Sequence, residues 1–311
     1  MSHTNITTLD LNLLKVFEAL HDEASASRAA LRLGVTQSAV SAALRRLRDV
    51  YGDPLFVRTG RGLAPTLRAN QLKPVISEAL DKCRQSLAML NPASADYSAR
   101  AVSIGMSDDF EIAYGRALID TVAHLAPGLR LIFRQTHSKI VGEALLDRQI
   151  DVAITAGGFN ERLLSRQALG QGGYACLVDS ASVPASQTGL SVAELIAREH
   201  ILISSQGFIG IVDEALAALG QGRRVSASTT HFAALPCLMR GTAAVATVPT
   251  HAARALAATS DLRLLECPLV LPAYPIEMGW RTSAQIEPAV QRVHQAIVAC
   301  VGTLPLSAPP P

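Results

Sequence analysis

From Asp10 to Leu90 the apolar residues recur at helical spacing, whereas from Arg100 onward they gather into short β-branched runs separated by helical stretches. The first region predicts helices with one short hairpin, and the second predicts an α/β unit. The sharpest pattern lies between Ser25 and Val50. There Ala39, Val40, Ala43, Leu44, Leu47 and Val50 mark one side of a helical wheel, and Gln37, Ser38, Ser41, Arg45 and Arg48 mark the other. Ser27 can cap a short helix from Arg28 to Leu33, Gly34 can take the left-handed position that ends it, and Thr36 can cap the amphipathic helix that follows. Two helices joined in this way make a helix-turn-helix. The second is the width of a DNA major groove, where glutamine, serine and arginine read base edges or grip phosphates. An ordinary αα-hairpin with a solvated polar face would show the same periodicity, so the flanking residues decide.

A helix beginning at Asp10 sets Leu11, Leu14, Phe17 and Leu20 on one face, which would close a three-helix core. After Val50, Leu55-Phe56-Val57 form an extended run, Arg58-Thr59-Gly60-Arg61-Gly62 a tight basic turn and Leu63-Ala64 a return before Pro65. This predicts a wing with Arg58 and Arg61 placed to reach a phosphate or the minor groove. Thr66 then caps a long helix expected from Leu67 to Leu90. Along it Leu72, Val75, Ile76, Ala79, Leu80, Cys83, Leu87 and Leu90 fall near heptad spacing, a stripe that one copy cannot fully bury and that predicts a dimer. Asn91-Pro92-Ala93-Ser94 reads as a linker.

Charge sharpens this reading. The net charge of +2 over 311 residues is too small to signal nucleic-acid binding by itself. Arg28, Arg32, Arg45, Arg46, Arg48, Arg58, Arg61 and Arg68, however, face only Asp49 and Asp53 across the helix-turn-helix and wing. The five cysteines (Cys83, Cys176, Cys237, Cys267, Cys300) show no CxxC, no zinc-like spacing with histidine and an odd count, and so read as small buried hydrophobes in a reducing compartment. No export signal and no apolar run long enough for a bilayer is visible, so a cytoplasmic protein is expected, with no membrane partner. Leu304 to Pro311 reads as a disordered tail.

The quoted stretches LNLLKVFEAL and SRAALRLGVTQSAVSAALRRLRDVYGDPLFVRTGRGLAPT, with the helix after them, resemble the N-terminal region of LysR-type transcriptional regulators. RAA-x-x-L, TQSAVS and PLF-x-R occur together and in order, which is what makes the match specific. The resemblance implies that Thr36, Gln37, Ser38, Ser41, Arg45 and Arg48 face bases or phosphates, and that Arg28, Arg58 and Arg61 clamp the backbone. Ser38 stands where many relatives have proline, and Arg48 where many have glutamate, departures that concern which operator is read.

Beyond Arg100, strands are expected at Val102–Met106, Arg130–Gln135, Asp151–Thr155, Ala175–Val178, His200–Ser204, Arg224–Ser228, Ala244–Val248, Leu262–Glu266 and Ile276–Trp280, forming parallel sheets. Crossings near Tyr174 and Ala273 would divide them into two lobes, similar to the periplasmic-binding-protein-like effector domain of the same family. The expected division is a winged helix-turn-helix at 1–66, a linker and dimerisation helix at 67–94, and an effector-binding domain at 95–303, with lobe 1 about 95–174 and 274–303 and lobe 2 about 175–273. Clefts form where strands of open α/β sheets end. That nominates Ser107 and Asp108, Thr136 and His137, Ser204, Ser205, Phe208 and Ile209, His231 and Phe232, and Thr247 as effector contacts, with Ser107 beside helix N–H groups that favour an anion. Asp10 to Leu14, His231-Phe232 and Ala246 to Pro249 are most similar to the branch that senses aromatic acids. Gly172-Gly173 departs from it, where a polar or basic residue is common, leaving room for a bulkier or less acidic effector.

The function implied is a DNA-binding regulator, dimeric or tetrameric, that senses a small aromatic or carboxylate-bearing effector and needs no other cofactor or metal. A cytoplasmic small-molecule-binding protein whose winged head serves another partner is the alternative. A secreted solute-binding protein lacks its signal, and an enzyme lacks a nucleophile elbow, P-loop, dinucleotide fingerprint or metal cluster. Peroxide sensing would want a cysteine near residues 200–210, and ISSQGFIG has none.

Overall fold

Short polar residues set the ends of the first helices. The computed structural model describes residues 10–60, 62–88, 97, 100–204 and 207–302. α1 (Asn12–Glu23) begins where the Asp10 carboxylate accepts the Asn12 N–H at 3.0 Å. α2 (Ala26–Leu33) is capped by Ser25, which accepts from the Arg28 N–H, and Ser27 lies inside its first turn instead of capping it. Gly34 takes the left-handed conformation (φ 66°) that ends α2, and Thr36 caps α3 (Gln37–Tyr51) by accepting the Ala39 N–H at 3.2 Å. Val40, Leu44 and Leu47 of α3 bury against Leu13, Leu14, Phe17 and Leu20 of α1. Leu13 thus occupies the core position expected for Leu11, which is 53% exposed, and Ala39 stays on the outer side of α3.

β1 (Phe56–Thr59) and β2 (Gly62–Pro65) form the antiparallel wing. Its base is held by side chains. Asp53 accepts from the Leu55 N–H at 2.7 Å and the Thr66 hydroxyl at 2.8 Å, while Arg48 donates to the carbonyls of Pro54 and Phe56. Gly62 (φ 137°) lies so close to the end of α1 that a Cβ there would stand 2.6 Å from the Ala24 carbonyl oxygen, which binds the Leu63 N–H.

α4 (Leu67–Ala88) divides its stripe between two environments. Leu72, Ile76 and Leu80 pack into the head's own core, whereas Val75, Ala79 and Cys83 face outward. Lys73 pairs with Asp22 at 2.7 Å and Ser77 donates to Glu18 at 2.9 Å, so the buried side of this helix is tied to α1 by polar contacts as well. Leu90 and the linker at 91–94 fall outside the described residues, as does the tail at 304–311.

The chain forms two compact units dividing at residue 95. The second contains two five-stranded sheets. One has the order β4-β3-β5-β12-β6, built from β3 (Ala101–Met106), β4 (Arg130–Gln135), β5 (Val152–Thr155), β6 (Leu164–Gly172) and β12 (Tyr274–Arg281). The other has the order β11-β7-β10-β8-β9, built from β7 (Tyr174–Asp179), β8 (Glu199–Ile203), β9 (Arg224–Thr229), β10 (Val245–Pro249) and β11 (Leu262–Leu265). The sheets are mixed, not parallel as the alternation suggested. β3, β4 and β5 run parallel through covered crossovers, but β12 is antiparallel to both β5 and β6, and β7 to both β10 and β11. The chain passes between sheets at Gly173 and again before Tyr274, near the expected crossings.

The first lobe is covered by α5 (Asp108–Leu125), α6 (Val141–Leu146) and α11 (Pro288–Val301). Phe110, Tyr114 and Leu118 of α5 and Val290, Val293 and Ile297 of α11 bury with Ile104, Ile154 and Met278. The second lobe carries α7 (Val192–Ala197), α8 (Ile211–Ala218), α9 (Leu235–Met239) and α10 (Thr250–Thr259). Alternation along its strands separates two apolar clusters, with Ala175, Leu177, Ala246 and Val248 on one face and Cys176, Val178, Val245 and Leu265 on the other. Among the described residues no helix is long and apolar enough to cross a membrane.

Candidate functional site

The outer side of α3 presents Gln37, Ser38, Ser41 and Arg45 to solvent. Thr36 serves both as cap and as partner of Ser38, their hydroxyls 2.9 Å apart, which fixes the first turn from which bases would be read. Arg58 is exposed on β1, beside an open groove of about 530 Å³ that runs from Arg48 and Asp49 to Phe56. Arg61 lies outside the described residues. Two of the expected DNA contacts have intramolecular work. The Arg28 guanidinium donates to the Glu23 carbonyl, closing the end of α1, and Arg48 stitches α3 to the wing. Their first effect is to set the angle of the surface that Gln37 and Arg58 present.

In the second unit, Ser107 and Thr136 sit side by side at the carboxyl ends of parallel strands β3 and β4. The Ser107 hydroxyl donates to the Asp109 carboxylate, and the first turn of α5 already carries Asp108, Asp109 and Glu111 against its N–H groups. The other Asp109 oxygen lies 3.0 Å from His251 Nε2 on α10, with both side chains buried. Asp108 accepts the Ala233 N–H at 3.1 Å, just past His231-Phe232. Two adjacent carboxylates of the first lobe therefore hold two segments of the second.

Aromatic rings surround this bridge. His251 stacks on Phe110 at 4.6 Å and 19°, and lies 5.8 Å from Tyr114, while Tyr174 and Tyr274 meet at 5.3 Å where the chain crosses between lobes. Gly172 makes that meeting possible, because a Cβ there would stand 2.2 Å from the Tyr274 ring. Burial, then the charge of Asp109, pushes the Tyr114 hydroxyl up to about 12 and raises Tyr174 and Tyr274 as well. Three buried hydroxyls, of Tyr114, Thr136 and Tyr274, have no hydrogen-bond partner among the described residues. Buried unpaired hydroxyls are costly in an apo fold and are ready partners for a polar ligand.

The profile described as "Bacterial regulatory helix-turn-helix protein, lysR family" matches residues 11–70, and "LysR substrate binding domain" matches 95–300. The chain belongs to the LysR family. It is 33% identical over 279 residues to the HTH-type transcriptional activator NahR of Pseudomonas putida, covering 88% of this chain and 91% of that one. NagR of Ralstonia sp is 28% identical over 300 residues, covering 94% and 98%. The crystal structure of the probable transcriptional regulator PA0477 from Pseudomonas aeruginosa superposes with a TM-score of 0.71 at 28% identity, covering 97% and 99%.

As a LysR regulator the chain is a transcription factor and not an enzyme. Its expected effector contacts are spread more widely than the strand-end rule suggested. Ser107 and Asp108 lie by the interlobe bridge, Thr136 is buried beside Gly105 and Ile150, and Phe232 and Ile112 of α5 both pack against the second lobe's cluster. His137 is exposed and accepts the Lys139 N–H at 3.3 Å, and His231 is exposed as well. Phe208 and Ile209 are 61% and 81% exposed, and Ser204 engages the Thr229 carbonyl through its backbone. Ser205 lies outside the described residues. Thr247 faces away from the bridge, toward Cys176 Sγ at 3.7 Å, because it alternates with Ala246 and Val248 along β10. Asp109, His251, Tyr114, Tyr174 and Tyr274 were absent from the expected set. The only local signal for them was the i, i+4 pair Phe110 and Tyr114 on α5.

Proposed function

We propose that this LysR regulator binds promoter DNA through α3 and the wing, as a dimer or tetramer, and that a small aromatic effector at the interlobe site changes how the paired heads sit on their operator. The reading places the protein in the cytoplasm, with the effector as its one small-molecule partner and no cofactor or metal. The observation that carries it is the pair of unpaired hydroxyls of Tyr114 and Tyr274, both within reach of the Asp109 charge, beside a bridge that joins the lobes. These hydroxyls belong to the first lobe, so a ligand that takes them and also meets Tyr174 or His251 of the second lobe gains most in the arrangement that brings the two sides together, and such differential affinity is what shifts a population. The names of NahR and NagR as transcriptional activators support the regulatory reading. The outward Val75, Ala79 and Cys83 of α4 support pairing of chains.

The test is recovery of genomic fragments by purified protein at about physiological salt, where non-specific phosphate attraction is weak. Enrichment of a spaced, partly palindromic site is expected. Aromatic acids and neutral phenols are then screened for a change in the footprint on that site. Failure to enrich any site with folded protein would overturn the reading. On the recovered operator, Gln37→Ala is expected to cost about 1–3 kcal/mol while random DNA binds as before; equal losses on both would remove Gln37 from base reading. Arg58→Ala should weaken binding to all DNA and lower the salt slope by about 1. An unchanged slope would show that Arg58 meets no phosphate.

A further inference from the structure

We infer that Cys176 and Cys267 form a reversible disulfide when the protein meets a hydroperoxide. The two are remote in sequence, but β7 and β11 pair antiparallel with Cys176 opposite Leu265. Side chains alternate along a strand, so Cys267, two residues past Leu265, returns to the face that carries Cys176 and reaches it diagonally. Both belong to one apolar cluster, Cys176 fully buried within it and Cys267 partly buried against it. The fold thus departs from the expectation of five inert buried thiols, since Cys83 and Cys237 are exposed and these two are partners.

The pair is chemically asymmetric. The Cys267 thiol is lowered to about 7 by a hydrogen bond from the Cys176 thiol, with burial opposing and the Leu269 N–H assisting. Cys176 is pushed well above the ordinary thiol range by the same hydrogen bond and by burial. Cys267 is partly exposed while Cys176 is fully buried, so Cys267 is the thiol a peroxide reaches and attacks from, and Cys176 is the resolving thiol. Cys267 sulfur attacks one peroxide oxygen and the O–O bond breaks, giving a sulfenic acid and an alcohol, or water from hydrogen peroxide. Cys176 sulfur then attacks the Cys267 sulfur, the S–O bond breaks, and hydroxide leaves with the Cys176 proton as water. Two thiols lose two electrons in all and the peroxide gains them. The bond would pin β11, the edge strand of its sheet, to β7 just before the chain returns toward β12.

The full-length chain carrying Cys83→Ser and Cys237→Ser, which removes the exposed thiols able to link separate molecules, is treated with hydrogen peroxide, alkylated and digested without reduction. Mass spectrometry is expected to find one peptide pair joining Cys176 to Cys267, short of two hydrogen atoms and released by dithiothreitol. Cys267→Ser should abolish the pair completely, and Cys176→Ala, which removes the hydrogen bond that lowers Cys267, should leave Cys267 as a sulfenic acid that forms more slowly and is trapped by dimedone. Recovery of both cysteines alkylated after peroxide, or of Cys267 as sulfinic acid without the linked pair, overturns the inference. Circular dichroism establishes that each variant is folded; if Cys176→Ala is not, the linked pair in the parent protein decides.

Discussion

Lowering the pH from 7 to 4 is expected to remove on the order of 5 kcal/mol of stability from the second unit, most of it through His200. His200 is fully buried, its Nε2–H donating to the Leu195 carbonyl at 2.9 Å and its Nδ1 accepting from Arg223 at 3.2 Å. Both partners require the neutral ring. Burial first, and the Arg223 charge second, lower its pKa from 6.5 to about 4. His294, partly exposed and 4.4 Å from the Trp280 ring, is lowered by burial to about 4 as well. Between these values the unfolded chain binds protons that the folded chain does not, so stability is full above pH 6.5 and falls as the pH drops toward 4. A shift of this size is worth about 3 kcal/mol for His200, and less for His294 because solvent screens it. Urea unfolding at several pH values checks this. His200→Gln, which keeps a donor for Leu195 but does not titrate, should flatten most of the slope; a slope equal to that of the parent would assign the acid sensitivity elsewhere.

The parts of the fold that were legible from the sequence are those decided locally. Gly34 and Thr36 act within one turn of themselves, and the alternation of Val40, Leu44 and Leu47 with Gln37, Ser41 and Arg45 is a property of one helix. Where two serines stood two residues apart, however, the cap went to Ser25, which has the extended backbone that a cap needs (φ −156°, ψ 127°). β6 gave no strand signal because it is an edge strand, largely polar and carrying Gly170 and Gly172, with few β-branched residues. The site was harder still. Asp109 and His251, or Tyr174 and Tyr274, come from elements whose approach depends on how two lobes close on each other, and no spacing along the chain encodes that. Thr247 lies near the end of a strand, but a period of two sends its side chain to the opposite face from Ala246 and Val248.

Replacing His251 with leucine is expected to cost about 3 kcal/mol, because it leaves one oxygen of a buried carboxylate without a partner while Ser107 still holds the other. The same change with Asp109→Leu should cost less than the sum of the two single changes, since removing both polar partners leaves no orphan and the rings of Phe110 and Tyr114 can pack on leucine as they do on imidazole. A coupling of about 1–3 kcal/mol in urea unfolding is the expected result, and simple additivity would mean that the bridge contributes packing alone. The coupling also bears on regulation. Asp109 lies in the first turn of α5 of one lobe and His251 in α10 of the other, so a variant without the bridge changes the balance between lobe arrangements while α3 and the wing keep every contact they have. In a footprint without effector, such a variant should differ from the parent on the operator but match it on random DNA. If it matches on both, the bridge stabilises the unit without setting how the lobes stand, and the effector must act through the unpaired hydroxyls alone.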